Sequence, residues 1–319
     1  MSGSGRGLPR YDRKRKQREK FQFEQRMNYL SVNSYCREKF GKKLYKLSLD
    51  GGFTCPTRDG TLGTRGCIFC SAAGSGEFTG RGKDIDAQIK DAKRRVAAKC
   101  KGDVGYIAYF QSFTGTYAPA RCLRELYLPV IRRDDISVLS IATRPDCLPE
   151  ETLDLLAELN GIKPVWVELG LQTAKPESVE YVRRGYENAV YTQAVRALRA
   201  RGIYTITHII LGLPGETPQD MEETLRFALA AGTNGVKFQL LHVLEGTDLA
   251  EDWRAGKFQT LTMEEYVEIL AQLIPLLPPD VAVHRLTGDG SKKDLLSPLW
   301  SGEKKRVLNA IRARLGAEC

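Results

Sequence analysis

The sequence predicts an α/β protein built on parallel strands, and three observations carry that prediction. Between residues 44 and 243, six short apolar runs of strand character alternate with five helical stretches. Alternation of this kind means parallel strands joined by right-handed crossovers. Short apolar runs such as Tyr204-Thr-Ile-Thr-His-Ile-Ile suit a sheet covered on one side by helices. Third, a Gly- and Cys-rich segment, Asp50 to Arg81, separates the first strand from the first crossover helix. A structureless stretch of that size inside a compact domain is usually functional.

Taken in order, residues 1–20 are Gly, Ser, Arg and Lys with almost nothing apolar and are expected to be mobile. From Arg26 the pattern turns amphipathic: Tyr29, Leu30, Tyr35 and Phe40 predict a helix stopped by Gly41. Leu44 to Leu49 reads as a strand. Helices are then expected over Ile85–Lys99, Ala118–Arg132, Pro149–Leu159, a region reaching Arg201, and Pro218–Ala231 after Thr217. Strands are expected at Val104–Phe110, Ile136–Ala142, Val165–Leu169, Ile203–Leu211 and Gly235–Val243. The remainder is less regular, with a helix at Thr262–Leu277 ending at Pro278-Pro279, one more strand at Val281–Arg285, and a helix at Lys304–Leu315. The division is a basic arm (1–26), a βα core (27–245) and an extension packing on the core (246–319).

Charge sharpens that division. The 319 residues carry 48 Lys+Arg against 39 Asp+Glu, a formal +9. Nine basic and three acidic residues fall in the first 26, so the arm holds +6 and the other 293 residues only +3. Such an arm, Arg13-Lys14-Arg15-Lys16 at its centre, reads as a polyanion contact or as a solvated tail. The most apolar run, Ile203 to Leu213, is about half the ~20 residues a membrane span needs, and His208 interrupts it. No membrane contact is expected. With no apolar leader near the N-terminus, a cytoplasmic, reducing location is expected, and a disulfide framework for the eight cysteines is not.

Three of those cysteines stand together. Cys55, Cys67 and Cys70 fall in the loop after the first strand with spacing C-x11-C-x2-C. The last two are a chelating pair for a soft metal centre, and Gly60, Gly63 and Gly66 let the loop return to bring Cys55 to the same centre. Structural zinc wants four ligands. Cys36, Cys100, Cys122, Cys147 and Cys319 are isolated, so a fourth has no evident source. A four-iron cluster held by three cysteines leaves one iron open; zinc with a ligand from elsewhere, or three unrelated thiols, are the alternatives.

A cysteine loop after the first strand of a six-unit βα chain, ending Cys67-Ile-Phe-Cys70, resembles the radical S-adenosylmethionine (radical SAM) superfamily. The first spacing there is usually three residues, and here it is eleven, which points to a subgroup. Asp50-Gly-Gly-Phe-Thr-Cys-Pro-Thr-Arg-Asp-Gly resembles the YhcC/YtqA-like family, related to the Elp3 catalytic subunit. So do Tyr109-Phe-Gln, Ser140-Ile-Ala-Thr-Arg-Pro-Asp-Cys-Leu-Pro, Trp166-Val-Glu-Leu-Gly-Leu-Gln-Thr, His208-Ile-Ile-Leu-Gly-Leu-Pro-Gly-Glu and His284-Arg-Leu-Thr-Gly-Asp. The likeness runs from about Asn28 to Leu315; the basic arm lies outside it.

The resemblance implies a partial (β/α)6 TIM-like barrel of the radical SAM type with a C-terminal extension. It implies a [4Fe–4S] cluster on Cys55, Cys67 and Cys70, with SAM on the open iron. Reactive groups then belong at the C-terminal ends of the strands. By resemblance, SAM contacts come from Phe69, Gln111, Ser140, Thr143, Arg144, Glu168, Gln172, Arg184, His208, Gly212, Leu241 and His242. Arg184 suits the SAM carboxylate through a bidentate fork. Arg144 and Asp146 either pair with each other or face the ligand. Glu168, a carboxylate among apolar residues, needs a partner, and a structural pair with Arg183 or Arg184 is the alternative. The three histidines, His208, His242 and His284, all lie in strand-like segments. With Asp146 they are candidates for binding substrate or moving protons; satisfied core residues are the other reading.

The implied function is a radical SAM enzyme modifying the C5 side chain of tRNA wobble uridine, carboxymethylaminomethyl to aminomethyl. The basic arm would contact tRNA, and an electron donor such as flavodoxin or ferredoxin would serve as partner. The alternatives are radical chemistry on a small metabolite or protein, and a non-catalytic, zinc-stabilised RNA-binding protein.

Overall fold

The computed structural model describes residues 29–74, 76, 79–80, 84–100, 102–288, 290 and 292–316. The basic arm, with Arg13, Lys14, Arg15 and Lys16, lies outside the described residues. Among the described residues ten strands run in order: β1 (Leu30–Ser31), β2 (Lys43–Leu49), β3 (Val104–Phe110), β4 (Ile136–Thr143), β5 (Val165–Gln172), β6 (Tyr204–Leu211), β7 (Gly235–Leu240), β8 (Val243–Leu244), β9 (Ala282–Arg285) and β10 (Leu295–Ser297). The helices are α1 (Val32–Phe40), α2 (Ile85–Ala97), α3 (Ala120–Ile131), α4 (Glu150–Asn160), α5 (Pro176–Tyr181), α6 (Asn188–Ala200), α7 (Pro218–Ala231), α8 (Asp248–Arg254), α9 (Met263–Leu273) and α10 (Lys304–Gly316).

Eight strands form one wholly parallel sheet in the order β1-β9-β7-β6-β5-β4-β3-β2. From β2 to β7 each strand lies beside its predecessor, which is the expected (β/α)6 curl, an open half-barrel. The sheet is two strands wider than the six repeats: β9 arrives from the C-terminal segment to pair with β7, and β1 adds to β9. A two-residue strand has no pattern of its own, so β1 was not predictable without its partner.

Alternation along the strands sorts the side chains. Leu47, Leu49, Phe110, Leu139, Ile141, Val167, Leu169, Ile209, Leu211, Val236 and Phe238 share one apolar core with α2, α3, α4, α6, α7 and α9. Each such side chain, fully buried, contributes about 1.5–3 kcal/mol. The other face turns into the barrel. There Leu44, Ile107, Val138, Trp166 and Ile206 pack against Val32, Tyr35, Cys36 and Phe40 of α1. Helix α1 leaves β1 at one edge of the sheet and enters β2 at the other, so it plugs the N-terminal end of the barrel. Ser31 caps it, accepting from the Ser34 amide at 3.1 Å, and Gly41 ends it at φ 69°.

Two expected elements divide. The helical region after β5 breaks into α5 and α6 because Arg183 (φ 54°) and Gly185 (φ 77°) reverse the chain. The strand expected over Gly235–Val243 ends at Leu240, and β8 turns away to pair antiparallel with β10. His242 thus lies in a connection rather than a strand. Among the described residues no helix is long and apolar enough to cross a membrane.

Candidate active site

A cavity of about 640 Å³ opens at the C-terminal ends of the strands, and Cys55, Cys67 and Cys70 all line it. The loop that carries them returns on itself. Arg58 N–H donates to Cys55 O (2.8 Å), Leu62 N–H to Pro56 O (2.7 Å), Gly66 N–H to Thr57 O (2.8 Å) and Cys70 N–H to Cys67 O (2.9 Å). The Arg58 guanidinium clamps its far end, donating to the carbonyls of Cys70 and Ser71, both at 2.8 Å. Gly66 is required at φ 73°: a Cβ there would lie 2.9 Å from Arg58 Nε. Burial, with Cys70 adding to it, pushes the Cys67 thiol up to about 12, so ligation must displace its proton.

The mouth is built around Tyr186. Its ring lies 5.1 Å from the Arg144 guanidinium and 4.4 Å from that of Arg184. Arg144 pairs with Asp146 in a bidentate fork, Nε to Oδ1 at 2.9 Å and Nη2 to Oδ2 at 2.6 Å. Among the described residues, Gln172, Phe113 and Arg183 are the non-glycine residues with positive φ, at 61°, 54° and 54°. Gln172 and Phe113 line the cavity, and the Arg183 carbonyl faces Cys67 Sγ at 3.9 Å. Backbone strain of this kind persists where surrounding structure holds it and clusters at functional sites.

Deeper in the barrel lies a charged layer. Glu168, fully buried, accepts from Lys46 Nζ (3.0 Å), Ser140 Oγ (2.8 Å), His208 Nε2 (2.8 Å) and Lys237 Nζ. Lys237 also donates to Tyr109 O–H at 3.2 Å, and both lysines sit on the Tyr109 ring, 4.7 Å and 4.4 Å from its centroid. Burial alone would raise Glu168, but Lys237, Lys46 and His208 together hold its carboxyl well below the usual range. Burial also pushes the Lys237 ammonium down against the pull of Glu168. Burial, then Lys237, lowers His208 to about 4, so the imidazole is neutral at pH 7. With Nε2–H directed at a carboxylate, Nδ1 is left to accept from Gln239 Nε2 at 3.2 Å.

Comparison with known proteins places this arrangement. The radical SAM superfamily model matches residues 61–228, and a radical SAM C-terminal domain matches 233–317. The chain belongs to the radical SAM superfamily. YtqA of Bacillus subtilis is 45% identical over 288 residues, covering 90% of this chain and 89% of that protein. A tRNA uridine(34) acetyltransferase of Methanocaldococcus jannaschii is 30% identical over 157 residues, 47% of this chain and 28% of that protein. The structure of archaeal Elp3 from Methanocaldococcus infernus shares the fold at TM-score 0.60 and 18% identity, covering 86% of this chain and 63% of that one.

Membership in the radical SAM superfamily implies a [4Fe–4S] cluster and SAM, and the donor set fits. Among the described residues no three His, Cys, Asp or Glu side chains converge closely enough for a single metal ion. Zinc needs four ligands around one point. Cys55, Cys67 and Cys70 line one cavity, and Cys70 and Cys55 both act on the Cys67 thiol; three such thiols suit a cluster, in which each cysteine takes its own iron.

Phe69, Gln111, Thr143, Arg144, Glu168, Gln172, Arg184, His208, Leu241 and His242 all line the radical SAM cavity with the cysteines. Gln111 Oε1 accepts from Ser48 Oγ at 3.0 Å, and His242 Nε2 lies 3.1 Å from Ser301 Oγ. Ser140 is buried behind Glu168. The structure corrects the roles expected of Arg184 and of a Glu168–arginine pair, and for other residues it selects between the alternatives. Every guanidinium donor of Arg184 is taken, by the carbonyls of Leu171, Thr173 and Tyr186 and by Asn188 Oδ1, so it pins the backbone at the mouth rather than forking a ligand carboxylate. Glu168 pairs with neither Arg183 nor Arg184. Asp146 is taken by Arg144, the first of the two arrangements expected for that pair. Gly212, in the turn after β6 at φ 87°, has Leu261 2.8 Å from where a Cβ would stand. His284 is buried in the aromatic plug, 5.2 Å centroid to centroid from Trp166 and with Nε2 3.2 Å from Tyr204 O–H. Sequence reasoning passed over Lys46 and Lys237. The available signal was a lysine at an inward strand position, two residues on from Leu44 or Gly235.

Proposed function

We propose that this radical SAM enzyme modifies the C5 side chain of tRNA wobble uridine, converting carboxymethylaminomethyl to aminomethyl: the glycyl carbon would lose two electrons, with SAM as the oxidant, water would hydrolyse the resulting imine, and the two carbons would leave as glyoxylate. The observation that carries the reading is the similarity to a protein named for tRNA uridine 34, over 157 residues or 47% of this chain. The shared fold with Elp3 and the basic arm support it. An electron donor such as flavodoxin or ferredoxin and a tRNA are the partners proposed.

Cys55, Cys67 and Cys70 would hold the cluster, and Gln111 and Gln172 would face SAM across the cavity. When bound, cluster and SAM supply the 5′-deoxyadenosyl radical that takes a hydrogen atom from the substrate. The chain's own residues do the rest. The α1 plug closes the N-terminal end of the barrel and keeps water from that side. Arg144, locked to Asp146, would hold its guanidinium in a fixed place beside the cysteines. Neutral His208 holds its proton on Nε2 against Glu168 and keeps the layer beneath the substrate rigid.

Reconstituted enzyme with SAM and a reductant should change the mass of the wobble nucleoside in modified tRNA. Unchanged nucleosides alongside newly formed 5′-deoxyadenosine would remove the tRNA reading while leaving the radical chemistry. The near-balanced charge of residues 27–319 favours, as second reading, a small metabolite or protein substrate. RNA affinity that is unaltered on deleting residues 1–26 would support it.

A further inference from the structure

We propose that Lys46 and Lys237 form the subsite for a carboxylate on the substrate, inside the barrel below the cysteine loop. The proposal deepens the reading above, since the carboxylate it expects is that of the glycyl arm on the modified uridine.

The charge count at this layer points the way. Two ammonium groups converge on one carboxylate, Glu168, which also accepts from Ser140 and His208. One lysine would suffice for a structural pair. The second brings a further cation into an interior that disfavours net charge. Two lysine nitrogens thus face a single carboxylate. Arg285 lines the same cavity and adds to the positive field felt by Lys237 and His208. An anion entering here would offset that field.

Access favours a carboxylate on a slender arm. Lys46 is a quarter exposed and Lys237 only 2% exposed, yet both line the cavity that holds the cysteines. Both lie on inward positions of strands β2 and β7 within the barrel, so the phosphate backbone of a nucleic acid remains outside while a base substituent can reach in. Tyr109, against which both ammonium groups rest, fixes their positions and limits the space to a planar or slender group.

Binding, rather than turnover, tests this. The probes are N-benzylglycine, which carries the glycyl arm on an aromatic ring, and its neutral counterpart N-benzylglycinamide, measured by ligand-observed NMR on cluster-reconstituted protein. The acid should bind about tenfold tighter than the amide, and Lys46→Met or Lys237→Met should each remove about that factor. Should Lys237→Met fail to fold, the partly exposed Lys46→Met carries the test alone, with Lys46→Arg restoring affinity. Equal binding of acid and amide, or affinity indifferent to both lysines, overturns the proposal. So does loss of the acid when SAM is added, which would assign the lysines to the carboxylate of SAM. Lysine-dependent binding of the acid together with unmodified tRNA keeps the subsite and drops the tRNA reading. tRNA conversion unaffected by the lysine substitutions does the reverse.

Discussion

Within the same barrel, two layers only two to four residues apart along the strands behave as opposites. At the N-terminal end, Leu44, Trp166 and Tyr204 point inward and meet Tyr35, Phe40 and His284, an aromatic plug with Tyr35 5.1 Å and Trp166 5.3 Å from Tyr204. Two residues further, Lys46 and Glu168 occupy the same inward positions; His208 lies four beyond Tyr204. The lower layer is largely aromatic and buries area. The upper layer is charged, satisfied only through mutual contacts, and faces the cysteine cavity. A parallel barrel thus assigns stability to one end and chemistry to the other, and substitutions should separate the two.

The largest effect is expected at the cysteines. Cys55→Ala, Cys67→Ala or Cys70→Ala should each abolish the brown cluster absorption of anaerobically purified protein and all SAM cleavage, with the far-UV circular dichroism unchanged. Retained cluster in any of the three would move that cysteine out of the site. Trp166→Ala, by contrast, should cost about 3–5 kcal/mol in urea unfolding and leave cluster content intact in the folded fraction. A full-stability Trp166→Ala would mean that the plug is not the closure described. Glu168→Gln straddles the layers. It leaves two lysines facing an amide, should cost roughly 3 kcal/mol, and should depress turnover beyond what the lost stability explains.

The smallest effect is a pH slope. His208 is held at about 4, below its ordinary 6.5. Between those values the unfolded chain binds a proton there that the folded chain does not. Stability therefore falls as pH drops through that window, by up to about 1.4 kcal/mol per unit. Glu168, held well below 4.5, adds its own loss only further down. Urea midpoints at pH 7 and pH 5 should show this decline in the native protein and a flatter profile in His208→Asn; equal slopes would mean that the imidazole is not buried neutral.

The repeat from β2 to β7 was legible because each strand is an apolar run bounded by a helix with its own start or stop signal, such as the Thr217 capping box of α7. β9 was legible as a strand, but its place beside β7 depends on a parallel register between segments 47 residues apart, Gly235 with Ala282. The cysteines were legible because chelation demands close spacing in sequence. Lys46 and Lys237 were not, since a lone lysine in a strand looks like a solvated residue until the inward face is known. Arg184 misled for a related reason: a guanidinium fits carbonyls as well as carboxylates, and the carbonyls of Leu171, Thr173 and Tyr186 converge only in the folded backbone.

The most direct single measurement pairs two products in one reaction. Anaerobically reconstituted protein, given SAM, a reductant and wobble-modified tRNA, is assayed for 5′-deoxyadenosine and for aminomethyluridine. Both should rise together, and both should vanish in Cys67→Ala. A colourless protein carrying one zinc and forming neither product would contradict the assignment of the cysteine cavity as a radical SAM active site.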